Sequence, residues 1–353
     1  MEKKRMQKKK LVLLILLAAI LALAVLPIVL NRLGTDFHSL NSTDRQMLSE
    51  LNEYSASDRK TEIWKGYDLE DRPIAAVNGL WGPGYLINPQ KAPTGPLAVK
   101  LSLPESWGIT VYRLSRTDPQ LLKLKFDAGN FNTAGKVYTV YGNEVFFTKY
   151  SQKKSFDPVN SSEHYISFLS HEAFHYFMQK DWVSGGRFAG DLSDEDLSLM
   201  ADEYDVLAKI QTELAKEAPS KETLLACAKQ YSAVMEQRIA ANPEYLKQEL
   251  DMETVEGTAQ YVCIKASRIV GYDYGVMYFD NVKNVSFSDV IPVVQKGLKD
   301  PSFLADKMPY ETGALLCFLL EQIDSGSWQE KLSAQTVSSP VTLYSLVKAD
   351  AGE

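Results

Sequence analysis

The sequence predicts an α+β protein: an N-terminal transmembrane helix, a small, mostly antiparallel sheet, then a mainly helical region. Three observations predict it. Leu11 to Leu30 (LVLLILLAAILALAVLPIVL) is an apolar run without a charge. Residues 63–150 hold short runs rich in Val, Tyr, Phe and Thr, punctuated by Pro and Gly, which is the pattern of strands joined by turns. From about residue 160 the apolar period changes to that of a helix.

Taken in order, residues 1–10 (MEKKRMQKKK) form a basic tail of net charge +5 in a chain of −7, leaving about −12 for the body. A body so acidic repels phosphates, so no nucleic-acid partner is expected. Residues 11–30 rise about 1.5 Å each in a helix and so span roughly 30 Å, the hydrocarbon thickness of a bilayer. The preceding lysines put the N-terminus in the cytoplasm and the body outside, a single-pass protein of the cell membrane. The competing reading is a secretory signal cleaved near Ala22-Leu23-Ala24, which releases the body. Residues 31–62 read as a stalk with one amphipathic piece, capped by Ser42, Thr43 or Asp44.

Residues 63–158 form the β-rich subdomain. Its strands are PLAVKLSL, GITVYRL, KVYTVYG and EVFFTKY, the last two a hairpin turning at Gly142-Asn143. Residues 159–353 form the helical subdomain, with helices expected over 160–180 (opened by Asn160 with Glu163), 192–216, 220–241, 244–268 and 310–323. Phe287 to Gln295 reads as a strand or a short helix. Cys227, Cys263 and Cys317 lie in apolar helical patterns, and their odd number argues against a disulfide framework.

The chemistry is concentrated in His171-Glu172-Ala173-Phe174-His175. Histidines at i and i+4 stand one turn apart on one helix face, so both imidazoles can reach one ion. Glu172 projects beside them, where it can meet a metal-bound water. Imidazole and carboxylate ligands suit zinc, and a catalytic zinc takes three protein ligands with one position open. No third histidine serves: His38 lies beside the predicted membrane span, and His164 is about 10 Å away along the helix. A carboxylate is therefore needed, and Glu256, Glu253 and Glu203 are the candidates.

HExxH followed by a helix bearing Glu256-Gly257-Thr258-Ala259 resembles the gluzincin metallopeptidases, which include the thermolysin, aminopeptidase N and bacterial collagenase families. The resemblance implies a zincin-type catalytic region, one zinc ion, and Glu256 as third ligand beside His171 and His175. It also implies that the small residues after Glu256 let its helix approach the HExxH helix closely. Tyr310-Glu311-Thr312-Gly313-Ala314 resembles the Y-E-x-G-A segment of aminopeptidase-N-like enzymes, which implies a Tyr310 hydroxyl donating to the oxyanion of the reaction. Two departures stand out. Gln260 occupies the position of an aspartate that orients a zinc-bound histidine in thermolysin-like members. The G-x-M-E-N segment that binds a substrate amino terminus is missing, which argues against an aminopeptidase.

The activity so implied is zinc-dependent hydrolysis of peptide bonds, with Glu172 as general base and Tyr310 assisting. The strand Val145 to Lys149 is the expected ledge for an extended substrate. The competing functions are a non-catalytic or degenerate zinc-binding surface protein, and a zinc amide hydrolase acting on cell-wall material.

Overall fold

The strand-like runs pair into one six-stranded sheet in the computed structural model, which describes residues 2–80, 82–132, 135–183, 192–279, 282–324 and 326–352. The chain forms two units, Met1–Arg59 with Asp68–Phe156, and Lys60–Tyr67 with Asp157–Glu353.

In the first unit helix α1 (Glu2–Arg32) is followed by α2 (Ser42–Thr61) and strands β1 (Ile74–Asn78), β2 (Gly84–Ile87), β3 (Ala98–Lys100) and β4 (Val111–Leu114). Helix α3 (Pro119–Asp127) and strands β5 (Tyr138–Val140) and β6 (Asn143–Tyr150) complete it. The sheet order is β3-β4-β2-β1-β6-β5, antiparallel except for the β1–β6 pair. Helix α3 was not foreseen. Asp118 caps it by accepting the N–H groups of Gln120 and Leu121, and its Leu121 and Leu124 share a buried cluster with Val77, Leu86, Leu114 and Phe147.

Among the described residues no helix is long and apolar enough to cross a membrane, so the transmembrane span over 11–30 and the single-pass, extracytoplasmic placement built on it are withdrawn. The end of α1 is instead committed to protein: Asn31 is buried and donates to the carbonyls of Leu97 and Arg113 at 3.0 and 3.3 Å. The stalk is also withdrawn, because Met47, Leu48, Leu51 and Tyr54 of α2 are buried. Its cap is Asn41, whose side chain accepts the Asp44 N–H at 2.9 Å. Asp44 itself is a buried hub that accepts from Asn41, Asn78, Tyr85 and Tyr150.

The hairpin turns one residue earlier than expected, at Tyr141-Gly142, where both residues have positive φ. Tyr141 is held in this unusual conformation by bonds to Gln120 and Asp118. The expected substrate ledge, Val145 to Lys149, is no exposed edge. Phe146 to Tyr150 pair with β1, the other side of the strand meets Asn130, Phe131 and Asn132, and Val145 to Thr148 are buried.

The second unit is helical: α4 (Tyr165–Met178), α5 (Asp194–Leu214), α6 (Lys221–Ala241), α7 (Pro243–Ile269), α8 (Val290–Gln295), α9 (Ser302–Asp306), α10 (Met308–Ile323), α11 (Trp328–Ser333) and α12 (Leu343–Asp350). Phe287 to Gln295 resolves as a helical turn leading into α8. Helix α4 starts five residues later than expected, because a 3-10 turn takes up Ser161–Glu163 and His164 is extended. The three cysteines are buried and free.

Two packing features position the site. The rear of α4 presents Leu169, Ala173 and Phe174 to the interior, where Phe174 meets Trp64, Tyr67 and Trp182 edge-on. The long helices α7 and α10 cross at two glycines. A Cβ on Gly257 would lie 2.3 Å from the Gly313 Cα, and a Cβ on Gly313 would lie 2.2 Å from the Glu253 carbonyl oxygen. The small residue after Glu256 therefore serves contact with α10, not with the HExxH helix as the resemblance implied.

Candidate metal centre

His171 and His175 lie one turn apart on the open side of α4, and Glu256 reaches them from α7. His171 Nε2 and His175 Nε2 are 3.0 Å apart, and Glu256 Oε2 lies 3.3 and 3.2 Å from them. These are the one group of three or more metal-ligating side chains brought together among the described residues.

The donor set fits zinc. Bonds of about 2.0 Å in a tetrahedron put neighbouring ligand atoms about 3.3 Å apart, close to the three spacings observed. Three protein donors leave a fourth position open. All three groups are half-buried: 12% of the His171 side chain, 24% of His175 and 22% of Glu256 are exposed, so a small molecule can reach them.

The tautomer of His175 follows from its neighbours. Gln179, one turn further on, donates through Nε2 to the Val255 carbonyl at 2.8 Å and to Thr258 Oγ1 at 2.7 Å. Its Oε1 must then accept from His175 Nδ1–H. That leaves the His175 Nε2 lone pair aimed at the centre, as a metal ligand requires. Gln179, not Gln260, does this orienting work. Gln260 lines the neighbouring cavity and instead donates to Tyr274 Oη and, at 3.4 Å, to Glu311 Oε1. The i, i+4 spacing of His175 and Gln179 was the available sequence signal.

The electrostatics agree. Burial opposes ionisation of Glu256, but the two imidazoles outweigh it and hold the carboxyl well below the usual carboxylate range. Burial also opposes a charge on His175, while Glu256, Glu172 and Gln179 outweigh it and raise its pKa. The two shifts are the two sides of one interaction, in which the imidazoles favour the ionised carboxylate and the carboxylate favours positive charge beside it.

The other candidate ligands lie elsewhere. Glu203 is fully buried rather than on a solvated face. It pairs with Arg238, which also holds Glu249 through two bonds of 3.0 and 2.7 Å. Burial pushes the Glu203 carboxyl up to about 7. Glu253 is buried beside Thr312, and burial raises its pKa well above the ordinary value. His164 is buried, not at the surface. It stacks on Tyr272 with ring centroids 3.8 Å apart, and burial pushes its pKa down to about 4. His38 is exposed in the first unit.

A cavity of about 410 Å³ opens on the site, lined by Phe168, His171, Glu172, Tyr274, Lys307 and Tyr310 among others. The Tyr310 ring lies nearly parallel to that of His171, 5.8 Å away, where α10 begins. Glu311, next along α10, is buried under the cavity and accepts the backbone N–H of Met277, a residue of positive φ. This fixes the loop before Phe279 against α10. Among known proteins the chain matches no family model, no curated protein and no solved structure.

Proposed function

We propose that the chain is a zinc-dependent hydrolase of peptide bonds, with His171, His175 and Glu256 as metal ligands. The observation that carries this reading is the convergence of three ligand atoms at tetrahedral spacing, next to a cavity that Glu172 and Tyr310 also line. A purely structural zinc site is normally closed by four protein ligands and has no use for an adjoining glutamate.

Zinc at this position supplies Lewis acidity and brings the pKa of water toward neutrality. The protein's own groups do the rest. Gln179 keeps the proton of His175 on Nδ1. Glu172 accepts the proton of the attacking water and returns it to the leaving nitrogen, so the peptide bond breaks as one water is consumed. Tyr310 donates its hydroxyl proton in a hydrogen bond to the oxygen on which negative charge develops. The half-buried walls limit competing water around both groups.

The test is a pair of substitutions. Glu172→Gln should retain one zinc per chain by metal analysis and lose hydrolysis of a broad peptide library by at least about a hundredfold. Glu256→Ala should lose the zinc itself. Hydrolysis that survives Glu172→Gln at the wild-type rate removes the reading.

A further inference from the structure

A second cavity, of about 380 Å³, adjoins the first, and the two share Phe279 and Lys307 in their walls. Its lining is apolar: Val285, Val290, Val294 and Phe303 face Phe279, which meets Phe303 edge-on with centroids 5.5 Å apart. Helix α8 builds one wall because Val290, Val293 and Val294 recur at helical spacing on a single face. The charged groups in its walls are Asp289, Lys299 and Lys307, so cations outnumber anions.

Lys307 stands at the boundary of the two cavities. Its ammonium lies over the Tyr310 ring, 6.0 Å from the centroid, and among the described residues it joins no ion pair. Tyr310 in turn stacks 5.8 Å from His171. Added end to end, these spacings put the ammonium no further from the His171 ring than about three to four residues of extended chain.

We propose that the second cavity receives the apolar side chain of a peptide's carboxy-terminal residue, and that Lys307 binds that residue's α-carboxylate. The inference rests on the reading of the neighbouring site as a peptide hydrolase. It names the substrate class: free peptide carboxy termini ending in a bulky apolar residue, cut within the last two or three residues. The shared wall of Phe279 and Lys307 sets the cavities side by side, and the excess of lysine over aspartate in the second supplies the charge complement. Burial raises the Glu311 carboxyl to about 8 against the pull of the Met277 N–H and Lys307, which weakens its competition with an incoming anion for the Lys307 ammonium.

The deciding experiment measures binding rather than turnover. Zinc-loaded Glu172→Gln protein is titrated with fluorescent pentapeptides ending in Leu as the free acid, in Leu as the amide, or in Ser as the free acid. The Leu acid should bind roughly ten- to hundred-fold more tightly than its amide, the range of a hydrogen bond between charged groups. Lys307→Met in that background should erase the difference, and Lys307→Arg should keep most of it. Val293→Asp, at a half-buried wall position, should erase the preference for Leu over Ser. Equal affinity for acid and amide overturns the proposal, as does an acid preference that survives Lys307→Met. If wild-type protein cleaves no peptide, the hydrolase reading fails on its own, and the binding titration still decides the subsite.

Discussion

Helix α7 carries Glu249 and Glu256 two turns apart, and the two carboxylates have opposite surroundings. Glu249 meets Arg238 in a buried network that also takes in Glu203. Its charges face one another and few are left to meet a ligand. Glu256 meets two imidazoles whose ring nitrogens also face each other at 3.0 Å. The first centre joins a cation to two anions, and the second brings together three groups that can each donate a lone pair. Burying charge is costly in both places, and under the proposed function the second would offset that cost by taking a cation.

Substitutions can break this comparison, and the largest effect belongs to the closed centre. Arg238→Met strands two buried carboxylates, so urea denaturation of the metal-free protein should show a loss of about 3–5 kcal/mol. Glu256→Ala in the same metal-free state should cost less, about 1–2 kcal/mol, because it removes a half-buried acid from two imidazoles and strands no carboxylate. Equal losses would mean that both centres serve stability alone. Next is the helix crossing. Gly313→Ala places a methyl group against the Glu253 carbonyl and should cost about 1–3 kcal/mol by thermal melting. It should also weaken zinc binding, since α7 carries Glu256.

Gln179→Ala sharpens the contrast from the other side. It frees the His175 tautomer, and zinc affinity measured by competition with a chelator should fall about 10- to 100-fold with little change in melting temperature. The smallest effect is a pH dependence. The folded pKa of His164 is depressed to about 4 by burial, so the unfolded chain binds a proton first as pH falls below about 6.5. The stability His164 contributes is thus present above about 6.5 and lost as pH falls toward 4, on the order of 1–2 kcal/mol. His164→Phe, which keeps a ring against Tyr272, should flatten this part of the urea-midpoint profile. An unchanged profile would place the acid sensitivity elsewhere.

Local patterns were legible in the sequence and long-range choices were not. The i, i+4 histidines had to share a helix face, and α5, α6, α7 and α10 follow the apolar period to within a few residues. The strands around Ala98, Val111, Tyr138 and Val145 likewise follow alternation and turn residues. The three residues that converge on one point were all among those singled out beforehand. What failed to show was which surface each element would choose. Gly257 reads as a small residue near a ligand, yet which helix it faces depends on Gly313, more than fifty positions away. Glu203 reads as one of several acids on a solvated face until Arg238 folds over it. Helix α2 was mistaken for a stalk because its polar residues outnumber the four large side chains that fix it. The apolar run of α1 was read as a span because composition does not reveal that Asn31 docks on the sheet.

The crossing of α7 and α10 has a consequence for finding relatives of this chain. Where two backbones touch, the spacing of the helices is a property of peptide geometry and has no rotamers through which to drift. Glu256 precedes one contact glycine by one position and Tyr310 precedes the other by three. A distant cousin that kept these two offsets, with a glutamine four places after the second histidine, could replace nearly every outward-facing residue and still present the same atoms. Those sparse coordinates are a sharper search key than overall similarity.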